Sequence, residues 1–117
     1  MVVIPSAVPT AMPRTPSGIA ISPTLITLNW IPPPAIDING LIRFYLVEVT
    51  EVVTGRFFTF HAVETFINIG PLNAGYAYRC RVAAYTIALG PFTDFFYVRS
   101  METRKHEILQ GNYSPYQ

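Results

Sequence analysis

In the run YAYRCRVAAYT (76–86), Tyr78, Cys80, Val82 and Ala84 recur at every second position, with Arg79, Arg81 and Ala83 between them. Side chains point to opposite faces of a β-strand with a period of two, whereas a helix repeats its buried face every three or four residues. This run can therefore bury one clean face only as a strand. Tyr78, Cys80, Val82 and Ala84 are expected inside, and Arg79, Arg81 and Ala83 outside. A strand of this kind needs partners in a sheet and a second layer over its apolar face.

The rest of the chain supplies them. Short β-type runs lie between turn signals. Ile19 and Ile21 mark a weak first strand, and LITLNW (25–30) alternates with Ile26, Leu28 and Trp30 on one face. Three prolines stop that strand, and Asn39-Gly40 favours positive φ in a turn. LIRFYLVEVTEVV (41–53) is a long β-branched and aromatic run that ends at Thr54-Gly55, and RFFTFHAV (56–63) and FINI (66–69) follow. After the 76–86 run, ALGP (88–91) turns the chain into FTDFFYVRS (92–100). About seven strands and no helical period predict an all-β, seven-stranded antiparallel two-sheet sandwich.

The chain ends read differently. Pro5, Pro9, Pro13 and Pro16 fix φ and remove amide donors, so residues 1–13 are expected to be a stiff, extended linker ahead of a domain at 14–103. Residues 104–117 turn polar and charged and are read as a C-terminal linker, with at most one helical turn at KHEIL. The opening MVVIPSAVP lacks the basic region and apolar core of a signal peptide. The chain is expected to be a piece of a longer protein.

Charge and chemistry narrow the function. A net charge of +1 gives no broad field for nucleic acid or an anionic membrane, and neither is expected as a partner. No run approaches the roughly 18 apolar residues of a membrane helix. The one cysteine, Cys80, cannot form an internal disulfide and is expected to be a buried, inert thiol. His61 and His106 have no Cys or His neighbours at ligand spacing, so no metal is expected. Asp37 and Asp94 fall in or near turns, and Glu48, Glu51 and Glu64 do not form a catalytic pair. No phosphate loop, nucleophile elbow or dinucleotide fingerprint occurs. Asn112-Tyr113-Ser114 fits a glycosylation sequon, but Pro115 disfavours its use. Neither a cofactor nor catalysis is expected.

Four pieces in order carry a family resemblance: LNWIPP, NGLIRFYLV, LNAGYAYRCRVAA and GPFT. Together they closely resemble a fibronectin type III domain over roughly residues 13–103. The resemblance implies immunoglobulin-like topology within the two-sheet sandwich class and a core of Trp30, Tyr45, Val47, Leu72, Tyr78 and Val82. It also implies a tyrosine corner, with the Tyr78 hydroxyl bonding backbone upstream and Leu72 packed beside it. The departures are Ala74 where the family usually has proline, Cys80 where it has an aromatic, and Ala88 where a loop glycine is common. The chain has neither the RGD tripeptide nor W-S-x-W-S.

The family's strand order would place strand 76–86 between 41–53 and 92–100. Phe44, Leu46, Phe95 and Tyr97 then surround Arg79 and Arg81 on one outward face, with Glu48 beside them. Exposed aromatics with guanidinium groups are the composition of interface cores. They are also the composition of a face on which arginines simply cover aromatics by stacking and pair with Glu48. If the face does bind, the partner is a protein: a neighbouring domain, another cell-surface or matrix protein, or weakly a second copy. The loops at Pro32–Gly40 and Thr86–Pro91 are the alternative surface. The VAAYT and LGPFT segments resemble those of receptor-type tyrosine phosphatase, sidekick and usherin-like ectodomain arrays. That implies a noncatalytic interaction or spacer module of an extracellular, membrane-anchored or secreted protein. The alternative is an intracellular structural module of a giant muscle or cytoskeletal protein.

Overall fold

The computed structural model describes residues 7–103. The expected C-terminal linker, the KHEIL turn, the Arg104–His106 cluster and the sequon lie outside the described residues. Seven strands form two antiparallel sheets. One sheet contains β1 (Arg14–Ser22), β2 (Leu25–Ile31) and β5 (Phe66–Ile69), in the order β1-β2-β5. The other contains β3 (Phe44–Glu51), β4 (Phe57–Ala62), β6 (Ala77–Tyr85) and β7 (Phe96–Arg99), in the order β4-β3-β6-β7. The strand 76–86 therefore becomes the central β6, paired on one side with β3 and on the other with β7.

The alternation dictates the core. Ile26, Leu28 and Trp30 of β2 face Tyr45, Val47 and Val49 of β3 and Tyr78, Cys80, Val82 and Ala84 of β6, all buried. Trp30 meets Tyr45 edge-on with centroids 5.3 Å apart, filling the gap between the sheets. Its Nε1–H is buried with no partner among the described residues. Leu72 differs from the other expected core residues. It is half-buried, because the β5–β6 crossover places it at the open edge of the sandwich. There it lines a shallow groove with Phe58, Phe60, Ile69 and Pro71.

The first strand is longer than its two isoleucines suggest. Ile19 and Ile21 face out, and Gly18 and Ala20 turn inward. The small residues are needed there because β1 crosses close to β7: a Cβ on Gly18 would lie 2.9 Å from Leu28 and 3.0 Å from Val98. The prolines after β2 lead into a four-residue helical turn, α1 (Ala35–Ile38), which the period-based reading does not include. It is closed by Asn39 at φ 58° and Gly40 at φ 145°, the positive φ expected of that pair.

The corner at Tyr78 carries more than the resemblance implies. Its hydroxyl accepts a hydrogen bond from the Asn73 amide at 3.0 Å and donates one to Glu51 Oε2 at 2.8 Å. Glu51 ends β3 directly across from Tyr78 and is only 2% exposed. The same carboxylate accepts from Asn73 Nδ2 at 2.8 Å and from the Thr54 hydroxyl of the β3–β4 turn. Those donors hold its pKa below the usual carboxylate range, Thr54 most strongly, then Asn73 and Tyr78, assisted by the charge of Arg56 and opposed by burial.

Residues 7–13 run along the domain. Ala7 N donates to Asn39 O (2.7 Å), Thr10 N to Asp37 O (2.9 Å) and Asn39 Nδ2 to Val8 O (3.2 Å). The Thr86 hydroxyl donates to Ala7 O, and Pro9 and Pro13 are buried. Extended geometry suits this role, since proline has no amide to leave unsatisfied when it is covered. The segment ties the β2–β3 loop to the β6–β7 loop.

Candidate interaction surface

The register of the four-stranded sheet fixes what lies on its outer face. Rows run across the strands as Phe44 beside Tyr85, His61–Leu46–Ala83, Thr59–Glu48–Arg81, and Phe57–Thr50–Arg79–Tyr97. Phe44, Leu46, Arg79, Arg81 and Tyr97 thus share one face. Phe95 lies just before β7 rather than within it, and the guanidinium groups of Arg79 and Arg81 sit over its ring at 4.6 and 5.2 Å.

The two ends of this face differ. At one end Phe44 is stacked between His61 (4.2 Å) and Tyr85 (4.5 Å). These contacts leave Phe44 half-buried, and Leu46 is half-buried as well. Ala83 also lies on the outer face but is fully buried. The reason is local: Thr93 bonds both the N–H and the C=O of Val82, which lays the chain around residue 93 along β6 and brings Phe92 onto the face. Arg81 sits 4.0 Å from the Phe92 ring centroid and donates through Nε to Glu48 at 2.7 Å. Arg81 therefore already has an anion and two aromatic rings against it.

The other end is open. Phe57 is 56%, Phe95 47% and Tyr97 62% exposed. Arg79 sits among them with no carboxylate in ion-pair range, and its buried Nε–H has no partner among the described residues. Alternation reading missed Phe57, His61, Tyr85 and Phe92. The first three continue alternations already visible in 56–63 and 76–86. Phe92 opens the expected strand 92–100, of which only Phe96–Arg99 forms, and its place in the preceding loop has no periodic signal.

Elsewhere, Cys80 is buried and its thiol is pushed up to about 12 by desolvation. No set of three or more metal-ligating side chains converges among the described residues.

The fibronectin type III domain family matches residues 11–98. The chain belongs to that family. Tyrosine-protein phosphatase Lar of Drosophila melanogaster is 49% identical over 45 residues, which are 38% of this chain and 2% of Lar. The chain thus spans a small fraction of that relative. Among solved structures, the FN5 domain of Drosophila Lar superposes with a TM-score of 0.66 at 25% identity, over 81% of this chain and 99% of that one. Domains A168–A170 of titin give a TM-score of 0.69 at 26% identity, over 81% of this chain and 33% of theirs. The third fibronectin III domain of human KIAA0343 protein shares the fold with a TM-score of 0.71 at 19% identity, over 82% of this chain and 86% of that one.

Proposed function

We propose that this fibronectin type III domain is a noncatalytic protein-interaction and spacer module of a larger cell-surface receptor or adhesion protein. In this reading the outer face of the four-stranded sheet is its contact surface. The observation that carries the proposal is the open end of that face, where exposed Phe95 and Tyr97 adjoin Arg79 and exposed Phe57 lies across Thr50 in the same row. Outward aromatics add nothing to this domain's own core and favour being covered. The alternative loop surface is already engaged by residues 7–10 through Asp37, Asn39 and Thr86.

The likeness to Lar in both sequence and fold supports the cell-surface context. A second reading, an intracellular structural module, draws on the titin domains at 26% identity. An epitope tag inserted beside the domain in the full-length parent separates the two: antibody binds intact, unpermeabilised cells only if the domain lies outside. The face itself is tested with the double variant Leu46→Glu, Tyr97→Lys. Both positions lie outside the core, so the fold should survive, while partner binding and any self-association at millimolar concentration should fall. Unchanged binding by the folded double variant would move the contact surface away from this face.

A further inference from the structure

We infer that the open end of the sheet face binds an acidic protein segment, with Arg79 as the residue that receives its carboxylate. This rests on the reading of the outer face as the contact surface. Arg79 and Arg81 alternate along one strand, yet only Arg81 has an anion: Glu48 at 2.7 Å, the one ion pair among the described residues. Arg79 has similar aromatic support, with its guanidinium 4.6 Å from the Phe95 ring centroid, but among the described residues it has no carboxylate and no hydrogen-bond acceptor for its buried Nε–H. Leaving that buried Nε–H unpaired is unfavourable, and the half-buried guanidinium, stacked and oriented on Phe95, is already arranged to meet a carboxylate with its terminal nitrogens.

The surroundings specify the rest. Arg99 lies on the same face of β7, opposite Ala77, with its side chain bonded to Gly75 O. Along its paired strands the face therefore carries Arg79, Arg81 and Arg99 against Glu48, with exposed Asp94 in the loop beside Phe95, and the surplus of positive charge attracts negative partners. A second copy of this chain is a poor occupant, because a two-fold pairing of this face brings arginines together and offers only a Glu48 that is already held. Exposed Phe95 and Tyr97 flank Arg79, so the segment should place apolar side chains beside its carboxylate.

The test is an NMR titration of the chain with a short blocked peptide of alternating glutamate and leucine. A lysine–leucine peptide and a heparin oligosaccharide serve as comparisons. The expected result is a set of amide shifts at Thr50, Arg79, Tyr97 and their neighbours with the acidic peptide alone, weakening as salt is added. Arg79→Gln should reduce that affinity roughly tenfold, and Arg79→Lys should recover part of it. Equal shifts with the lysine peptide would overturn the acidic specificity while leaving the face as a contact surface. Shifts confined to the loops would overturn the face itself. Arg79-dependent binding of heparin alone, self-association that outcompetes the peptide, or no binding at about 10 mM peptide would each overturn the inference.

Discussion

Replacing Tyr78 with phenylalanine keeps the buried ring and removes a hydroxyl that makes two bonds, one from the Asn73 amide and one to the Glu51 carboxylate. A hydrogen bond to a charged group contributes about 1.5–3 kcal/mol and a neutral one about 0.5–1.5 kcal/mol. Water can reach the exposed Asn73 and relieve part of the second loss. Tyr78→Phe should therefore destabilise the domain by about 2–3 kcal/mol. In urea, where small domains lose about 1–3 kcal/mol per molar, the unfolding midpoint should fall by about 1–2 M. The carboxylate supplies a second check. Its pKa is lowered in the folded state, so its stabilisation is present above the unfolded value of about 4.3 and is lost as pH falls through the folded value. The effect of Tyr78→Phe should be largest near neutral pH and shrink in acid. In the Glu51→Gln background it should be smaller by at least about 1 kcal/mol. An unchanged midpoint would refute the corner. A full effect that is independent of both pH and Glu51 would show that the carboxylate contributes nothing to it.

Two further outcomes follow from the same geometry. Cys80 should resist thiol reagents in the native state. Because the pKa values of Cys80 and Tyr78 are both raised to about 12, stability should be intact below the unfolded values, about 8.5 and 10, and fall as pH rises through them toward 12. Rapid native labelling of Cys80, or a flat alkaline profile, would contradict this burial. Gly90→Ala would place a Cβ 2.7 Å from Pro9 Cβ and 3.0 Å from Pro9 O, so residues 7–10 should lift. The expected signs are faster amide exchange at Ala7 and Thr10 and a loss of about 1 kcal/mol. Unchanged exchange would mean that the segment is not held by these loops.

How far the fold and the face were legible depends on how locally each contact is encoded. The two-residue period of β6 assigns its inner and outer faces at once, because a strand has no other way to bury that pattern. The same logic applied to β3 puts Tyr45, Val47 and Val49 inside and, one step further, Glu51. A carboxylate at the next inward position is a signal that donors must be near. Register supplies them, since Glu51 lies across from Tyr78, whose inward position the sequence also declares. The polar corner could thus have been found by continuing the alternation past its last apolar residue. The other misses have no such local signature. Phe92 reaches the face only because Thr93 bonds Val82, 11 residues away in the chain. The proline spacing in residues 1–13 encodes an extended chain but not the resting place of residues 7–13, which is set by Asn39 and Thr86, the latter 79 residues from its partner Ala7. Arg79 and Arg81 look equivalent in the sequence, both outward and both stacked on phenylalanine. They separate only when cross-strand pairing gives Glu48 to Arg81 and Thr50 to Arg79. That single difference in register gives one guanidinium an anion and leaves the other without one among the described residues, and so decides at which end of the face the proposed contact falls.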